Sequence, residues 1–564
     1  MDYITSEKGF SLSDGSVVFD FESDKTLSKK GDFYSANIIG SAPVPNIHAS
    51  DRLLLPVDEG IAIEADKTYP PCHVSLDRIS SAFLNRNGTM SMIIVERDQK
   101  YLLIAIDDAF AAEYSAEKEN GIYRLGLKCN EETDIIYAIF DSVKDACKFY
   151  RESRKEKFMP LTEKIKRNTE IERLVGGAVF WIWNDNYDDV MYSDKDTDVN
   201  PAVGDDIMRI ADELYSSGVD KAMISMFFDD DSKYAEPLYK KYGYLSTQYD
   251  NYNDVFPPKL LKIVPNNRVK NCGYTNRRIK DFPGGIAMSE DGKMGRAWAL
   301  KGFDGKMHNQ YSLCPAVASK RMKEEISDIV RRYPYYKGRF IDVYGTGVSS
   351  CFSENHPITR RECLSVKRDA FASIAKMGLI TGTEDGMEGL VNELDYSEGL
   401  STPILFRTAE SGRRHPHIYD AEETEHIKKN MFSTDTRVPL WELVHHEDML
   451  MFPYWGVSTA CCPEIIDRVT LYSVLFGTAP LYSFFVHNFE KLKDVILESY
   501  KKITAVNKKT ALLPMTDFEY LTDDRRVQTT VFGDKYRIVA NFSDSEFIYS
   551  GKTIAPSEFI MIEE

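Results

Sequence analysis

The feature of this sequence that most constrains its fold is an alternation of strand-like and helix-like stretches between about residues 172 and 508. It begins with GGAVFWIWN, VGDDIMRIADELYSSG, KAMISMFF, KYAEPLYKKYG and YLSTQYDN, and it continues through GRFIDVYGTG and LITGTEDG. Short apolar strands that alternate with amphipathic helices are typical of parallel sheets with both faces buried. The pattern therefore predicts a (β/α)8 barrel over residues 172–508.

Two longer segments interrupt this alternation. The stretch VPLWELVHHEDMLMFPYWG is predicted to hold a late barrel strand that ends in the run His445 to Asp448. The stretch GGIAMSEDGKMGRAWALKG reads as an excursion from the barrel, a hairpin that turns at Asp291-Gly292.

The flanks of the barrel region have a different pattern. Residues 1–150 show short runs of alternating polarity separated by Asn-Gly and Asp-Gly turns, which predicts an N-terminal antiparallel β-sandwich. Residues 151–171 are predicted to be a helical linker, and residues 509–564 a small C-terminal β-sandwich. The predicted fold class is α/β and multidomain.

The net charge of the chain limits the kinds of molecule that it is expected to bind. The formal net charge is −18 and the pI about 5.2, which argues against a nucleic-acid partner and against an anionic membrane surface. A neutral, hydroxyl-rich molecule such as a sugar or glycopeptide fits this charge better. Homo-oligomer formation is compatible with the sequence.

The sequence also bears on location. The first residues lack a basic and apolar leader, and there is no uninterrupted apolar stretch of about 18 residues. The nine cysteines are scattered without CxxC or Cys/His zinc spacing. We expect a reduced, cytoplasmic protein.

Reactive groups of a barrel cluster at the carboxyl ends of its strands. Asp342 and Glu384 end consecutive predicted strands, so they should lie side by side at about the 5–5.5 Å carboxyl separation of retaining glycosidases. Asp342 is then the candidate nucleophile. Glu384, with a pKa raised by a partly apolar rim, is the candidate acid/base. The alternatives are a structural acceptor role for Asp342 and a solvated loop position for Glu384.

Five further residues are candidates for substrate binding: Asp229, Asp230, Trp298, Trp183 and Asp448. The aspartate run from residue 229 can equally cap the helix that follows it. Each tryptophan is either a core residue or a platform on which a sugar ring stacks.

Two stretches of the sequence contain residues of metal-ligand type, but the sequence does not identify the ligands of any metal. If VHHED is part of a strand, only alternate residues lie on the same face, so His445 and Glu447 could bind one metal ion. A metal-dependent hydrolase that uses His445, Glu447 and the Asp229 cluster is therefore a third hypothesis. Residues 194–206 resemble a calcium loop but lack the glycine at its sixth position, so a helix cap is favoured there.

FIDVYG and GTEDG, whose Asp342 and Glu384 are 42 positions apart, together with PLWELVHHEDMLMFPYWG, resemble the α-N-acetylgalactosaminidases of glycoside hydrolase family 129 and, distantly, the endo-acting family 101. The resemblance implies Asp342 as nucleophile and Glu384 as acid/base. It implies Asp229 or Asp230 as the ligand of the axial O4 and Trp298 as the stacking platform. It implies no cofactor for the chemistry, but calcium in substrate recognition.

These inferences combine into one functional hypothesis. We expect a retaining exo-α-glycosidase that releases α-linked N-acetylgalactosamine from O-glycan fragments by double displacement. The alternatives are an α-galactosidase of the same mechanism and a non-catalytic carbohydrate-binding protein on a glycosidase scaffold.

Overall fold

The computed structural model describes residues 1–72, 74–192, 195, 199–265, 279–408 and 416–564. The chain begins with two antiparallel sheets. The first has three strands in the order β1-β2-β3, and the second is nine-stranded with the main path β4-β5-β12-β10-β9-β6-β7 and β11 and β8 beside β12. The strands are β1 Asp2–Ser6, β2 Gly9–Ser13, β3 Val18–Phe21, β4 Ser28–Lys30, β5 Phe33–Ser41, β6 Arg52–Leu55, β7 Ile61–Glu64, β8 Arg78–Ala82, β9 Met92–Arg97, β10 Lys100–Ile106, β11 Ala112–Glu119 and β12 Ile122–Phe140.

Two helices lead from these sheets to the barrel. They are α1 Val143–Ser153 and α2 Leu161–Arg167. Ser142 caps α1, because its side chain accepts the N–H of Asp145.

Eight parallel strands form the centre of the molecule, in the order β22-β21-β20-β19-β15-β14-β13-β23. They are β13 Ala178–Trp183, β14 Ala222–Met226, β15 Leu245–Asn251, β19 Gly338–Asp342, β20 Ile380–Glu384, β21 Tyr396–Glu398, β22 Leu450–Phe452 and β23 Leu481–Phe485. The two end strands approach each other, since the N–H of Ala479 donates to the carbonyl of Met451 at 2.9 Å. The predicted fold class, a barrel flanked by β-sheet regions, is confirmed.

Helices surround this barrel. They are α3 Tyr187–Tyr192, α4 Asp206–Ser216, α5 Ala235–Tyr242, α6 Pro315–Arg332, α7 Arg360–Lys376, α8 Ala421–Asn430, α9 Leu440–His445, α10 Ile466–Phe476 and α11 Phe489–Thr510. A capping box of Thr359 and Glu362 starts α7. Between β20 and β21 the described chain forms a 3-10 turn, Glu388–Leu390, in place of a longer helix.

The excursion between β15 and α6 forms a small antiparallel sheet. Its strands are β16 Asp254–Val255, β17 Arg296–Lys301 and β18 Met307–Ser312. A turn does occur at Asp291-Gly292, closed by a bridge between Met288 and Met294. The longer hairpin, however, is β17–β18.

The chain ends in β-structure, as predicted. A four-stranded sheet, β24-β25-β26-β29, is joined by a hairpin, β27–β28. The strands are β24 Met515–Tyr520, β25 Val527–Phe532, β26 Tyr536–Asn541, β27 Phe547–Tyr549, β28 Lys552–Ile554 and β29 Phe559–Glu563. Val527, Val539 and Ile554 form the buried cluster of this region.

One predicted strand is wrong in its position. Residues 440–445 of VPLWELVHHEDMLMFPYWG form α9, and the strand that follows, β22, has only three residues. Its His-His-Glu-Asp run therefore precedes the strand and lies at the amino end of the barrel. The short strand β21 and the strand β23 were not anticipated from the sequence.

The largest hydrophobic cluster extends through all three parts of the chain. It includes Leu54 of the N-terminal sheet, Trp181 of the barrel and Phe532 of the C-terminal sheet. The sheets are therefore packed against the barrel, and a loop of the N-terminal sheet can contribute to the barrel mouth.

Candidate active site

Four polar residues lie at one level where consecutive barrel strands end. Asn251 and Asp342 are register partners, as are Glu384 and Glu398. The residues directly before Asp342 and Glu384 also pair, so these two carboxylates lie side by side on adjacent strands. Adjacent strands are about 4.8 Å apart. The structure thus brings the two predicted catalytic carboxylates together and adds a third, Glu398.

Asp342 is held by two hydrogen-bond donors. Its Oδ2 accepts the hydroxyl of Tyr249 at 2.6 Å and the side-chain amide of Asn251 at 3.0 Å. Only 7% of the residue is exposed. Burial raises its pKa well above the ordinary value and repulsion from Glu384 adds to this, whereas the Tyr249 and Asn251 bonds lower it. The two donors orient this carboxylate and favour its ionised form.

Glu384 lies between a cation and two further carboxylates. Burial raises its pKa to about 7, the positive charge of Arg86 lowers it, and Asp385 raises it. The Nη2 atom of Arg86 is 3.5 Å from Oε1 of Glu384, and the same guanidinium is ion-paired with Asp385. Repulsion between Asp342 and Glu384 favours the form of the pair that keeps one proton, and the two groups titrate as a unit.

Arg86 comes from the N-terminal sheet region and not from the barrel. It lies in the turn between β8 and β9, where Asn85 forms a β-bridge with Gly347 of the loop after β19. The carbonyl of Leu84 accepts the N–H of Val348 at 3.2 Å in the same contact. The turn read from the sequence as an Asn-Gly hairpin signal therefore supplies a cation to the barrel mouth.

Glu398 is fully buried and bound on one side only. Its Oε2 accepts the indole N–H of Trp181 at 2.8 Å, while Oε1 has no hydrogen-bond partner among the described residues. Burial raises its pKa to about 8, the Trp181 bond opposes this, and repulsion from Glu384 adds to it. This carboxyl group is therefore protonated at neutral pH.

Aromatic rings pack below the carboxylates. Trp181 stacks on Trp183 with 5.6 Å between ring centroids, and Trp455 packs against both, at 4.9 and 5.8 Å. Tyr249 and Phe340 complete this group. The rings form an apolar floor that excludes water from the inner side of the carboxylates, and this is the physical reason for their raised pKa values.

The backbone is strained directly after each carboxylate of the pair. Val343 has φ +48° and Asp385 has φ +52°. Left-handed geometry is costly for a β-branched residue, on the order of 1–3 kcal/mol. At both positions the chain turns sharply as it leaves β19 or β20, and such backbone strain is typical of functional sites.

The aspartate run at residue 229 lies apart from this carboxylate level. Oδ1 of Asp229 accepts the side-chain amide of Gln248 at 2.6 Å. Gln248 alternates with the lumen-facing Tyr249 and contacts buried Arg339 at 2.6 Å, so it lies on the outer face of the sheet. Asp230 is exposed and accepts the amide of Asn200 at 2.9 Å.

The two predicted tryptophans differ in environment. Trp183 is 2% exposed, and its indole N–H donates to Ser483 at 2.9 Å, so it belongs to the aromatic floor. Trp298 is 50% exposed on β17 of the excursion. Its ring is available to a ligand, whereas that of Trp183 is packed.

The structure does not bring Asp448 to the mouth. It precedes β22 at the amino end of the barrel, where its carboxylate pairs with Arg151 at 2.5 Å and with His445 at 3.0 Å. Burial would raise its pKa, but these partners lower it to about 2. Asp448 is therefore a structural ion-pair residue, misplaced by the wrong strand prediction.

The predicted metal ligands are also separated. His445 lies at the amino end of the barrel with Asp448, whereas Asp229 follows β14 at the carboxyl end, so the described residues do not join them into one site. Of the calcium-like segment 194–206, residues 194 and 196–198 lie outside the described residues.

The structure adds residues that are not among the predicted site residues. Arg86, Asp385 and Glu398 join the site through tertiary contacts, and Tyr249 and Asn251 position Asp342. The only sequence signals were that Tyr249 and Asn251 end β15 and that Asp385 follows Glu384. Nothing local in the sequence marks Arg86, which is 298 positions before Glu384.

Known structures share this architecture. The alpha-N-acetylgalactosaminidase NagBb from Bifidobacterium bifidum, ligand-free, superposes with TM-score 0.66 at 14% identity over 98% of this chain and 99% of that chain. Its Gal-NHAc-DNJ complex gives TM-score 0.67 at 14% identity over 96% and 97%. The Flavobacterium johnsoniae GH31 dextranase FjDex31A, complexed with isomaltotriose, gives TM-score 0.52 at 7% identity over 100% and 71%.

At these identities the likeness establishes the fold alone. No curated protein matches the chain. A family model does: that of the "Glycosyl hydrolases related to GH101 family, GH129" matches residues 218–531, which is more than half of the chain and includes both carboxylates of the pair. The protein is therefore a glycoside hydrolase and belongs to family GH129.

Proposed function

We propose that the protein is a retaining exo-α-glycosidase that releases α-linked N-acetylgalactosamine from O-glycan fragments. The observation that carries this proposal is the placement of Asp342 and Glu384 at one level on adjacent strands. Double displacement needs two carboxyl groups about 5–5.5 Å apart, close to the spacing of neighbouring strands.

The proposed roles follow from the contacts of each group. Asp342, oriented by Tyr249 and Asn251, attacks the anomeric carbon, and a glycosyl-enzyme ester forms. Glu384 donates its proton to the leaving oxygen, then removes a proton from the water that hydrolyses the ester. Forming the ester neutralises Asp342, which lowers the pKa of Glu384 and suits its change from acid to base.

N-acetylgalactosamine is proposed as the sugar on two grounds. Structural neighbours with this architecture are named as complexes with GalNAc and with Gal-NHAc-DNJ. The net charge of −18 also suits a neutral substrate. Trp298 on the exposed face of β17 is proposed as the stacking platform. Asp229 or Asp230 is proposed as the residue that hydrogen-bonds the axial O4 of the sugar.

Location and cations belong to the same proposal. We propose a reducing compartment, the cytoplasm, because the eight described cysteines are all free. No helix among the described residues is long and apolar enough to cross a membrane. We propose that the chemistry needs no cofactor and that calcium aids substrate recognition.

The first experiment measures hydrolysis of a panel of nitrophenyl α-glycosides, including α-GalNAc and α-Gal. Turnover of α-GalNAc above α-Gal supports the proposal, and the reverse order supports the α-galactosidase alternative. Binding without turnover of any sugar supports the carbohydrate-binding alternative. Proton NMR of the first product should show the α anomer, and a β anomer would refute retention.

Variants then test the two roles. Asp342→Asn should lose turnover by orders of magnitude, and wild-type activity in this variant would overturn the proposal. Glu384→Ala should regain part of its turnover of an activated aryl glycoside with azide, giving the α-glycosyl azide. Glu393→Gln is a matched control, because Glu393 is a half-buried carboxylate that precedes β21 at the opposite end of the barrel.

A further inference from the structure

Two thiols and an imidazole converge beside the loop that follows β19. The ligand atoms of Cys314, Cys351 and His356 all lie within 4.8 Å of one another. Sγ of Cys351 is 3.4 Å from Nδ1 of His356. In a tetrahedral zinc site with Zn–S of about 2.3 Å and Zn–N of about 2.0–2.1 Å, the sulfur and nitrogen atoms are about 3.6 Å apart. The observed separation is close to that geometry.

The imidazole is already oriented as a ligand. Nε2 of His356 is 2.9 Å from the carbonyl oxygen of Gly284, to which it can donate its N–H. In the tautomer that makes this bond, Nδ1 is the acceptor and faces Sγ of Cys351. Zinc-bound histidines usually donate their second nitrogen in this way, to a carbonyl or carboxylate.

The thiols also have the surroundings of metal ligands. The N–H of Met288 donates to Sγ of Cys351 at 3.4 Å. Cys314 is the N-cap of α6, an 18-residue helix. The backbone N–H groups of Ala316 and Val317 in the first turn of this helix face its thiol. Such N–H donors and a helix N-terminus stabilise a thiolate.

We propose that Cys314, Cys351 and His356 bind one zinc ion, with water in the fourth position. Two thiolates and one imidazole form a donor set that suits zinc. Within the described ranges, this is the only group of three or more His, Cys, Asp or Glu ligand atoms gathered so closely. On binding, each thiol releases its proton to solvent and each sulfur donates an electron pair to the ion.

The position of the ion gives it a structural role. Cys351 and His356 belong to the loop that joins β19 to α7, and β19 is the strand that ends in Asp342. Cys314 follows β18, at the end of the excursion that carries Trp298. The ion therefore cross-links two loops beside the barrel mouth, which are otherwise joined by backbone bonds such as Phe352 N–H to Met288 O at 2.8 Å.

The test uses the full-length protein, purified under reducing conditions and passed over a desalting column after incubation with zinc. Elemental analysis should find about one zinc per chain. Replacement by Co²⁺ should give the thiolate-to-cobalt charge-transfer band and the intense visible bands of a tetrahedral site. These readouts do not depend on glycosidase activity.

Variants locate the site. Cys351→Ser and His356→Gln should each lose the bound zinc or lower its affinity at least about tenfold, while Cys147→Ser, at a fully buried cysteine outside the cluster, should keep it. Circular dichroism checks that each variant is folded. Wild-type protein that takes up no zinc and gives no cobalt charge-transfer band would overturn the proposal. Zinc retained equally by all three variants, or a Cys314–Cys351 disulfide formed in place of metal binding, would overturn it as well.

Discussion

Glu398 provides a test of the electrostatics at the barrel mouth, through the variant Glu398→Gln. An acid whose pKa is higher in the folded state than in the unfolded state binds its proton more tightly when the protein is folded. The free energy of unfolding therefore falls as the pH rises from the pKa of the unfolded state to the pKa of the folded state. For Glu398 that window runs from about 4.5 to about 8. Glutamine keeps the shape and the acceptor for Trp181 but does not titrate.

The size of the effect follows from that window. One pKa unit corresponds to about 1.36 kcal/mol, so wild-type stability should fall by about 4 kcal/mol from Glu398 alone between about pH 5 and about pH 9. At an unfolding entropy of about 2.1 cal/mol/K per residue, a chain of 564 residues loses roughly 3 °C in Tm for that energy. Glu398→Gln should therefore gain roughly 3 °C relative to wild type over the same range.

The assay is thermal unfolding of both proteins across this pH range. Glu388→Gln is the matched control of opposite sign. The Glu388 carboxylate is also buried, but the hydroxyl of Tyr150 donates to it at 2.8 Å and His445 faces it, so its pKa is lowered against the effect of burial. Glu388→Gln should lower Tm at neutral pH. A Tm difference between wild type and Glu398→Gln that is independent of pH would refute the reasoning.

Four other substitutions test neighbouring features. Arg86→Met should raise the pKa of Glu384, because the positive charge of Arg86 is the largest effect that opposes burial. The alkaline limb of the pH profile of kcat/KM on an unactivated α-GalNAc glycoside should then move to higher pH. An unchanged alkaline limb would contradict this. Trp298→Ala should raise KM and change the free energy of unfolding by less than about 0.5 kcal/mol, whereas Trp183→Ala should cost about 3–5 kcal/mol in denaturant titrations. Equal stability losses in these two variants would contradict their assigned environments. Gly382→Ala should lower Tm, since its Cβ would lie 2.0 Å from a neighbouring tyrosine ring, and an unchanged Tm would show that the ring can move.

Much of the barrel could be read from local pattern. β13 and β14 are short runs of mostly apolar side chains, and β15, β19 and β20 are short runs that each follow an amphipathic helix, so each strand can be recognised on its own. β21 is too short for any periodicity, and the apolar residues of α9 also fit a strand, because a short apolar run is compatible with either structure. Predicting a strand there placed Asp448 at the wrong end of the barrel.

The sequence by itself determined the barrel with its flanking sheets and the adjacency of Asp342 and Glu384, because consecutive parallel strands place their ends side by side. Only the tertiary structure decided which other residues lie near this pair. Arg86 arrives from a turn of the N-terminal sheet, Glu398 from a strand of three residues, and the Cys314–Cys351–His356 cluster from two loops with no recognisable metal spacing. Such contacts depend on how segments that are distant in sequence pack together, and local residue patterns do not predict that packing.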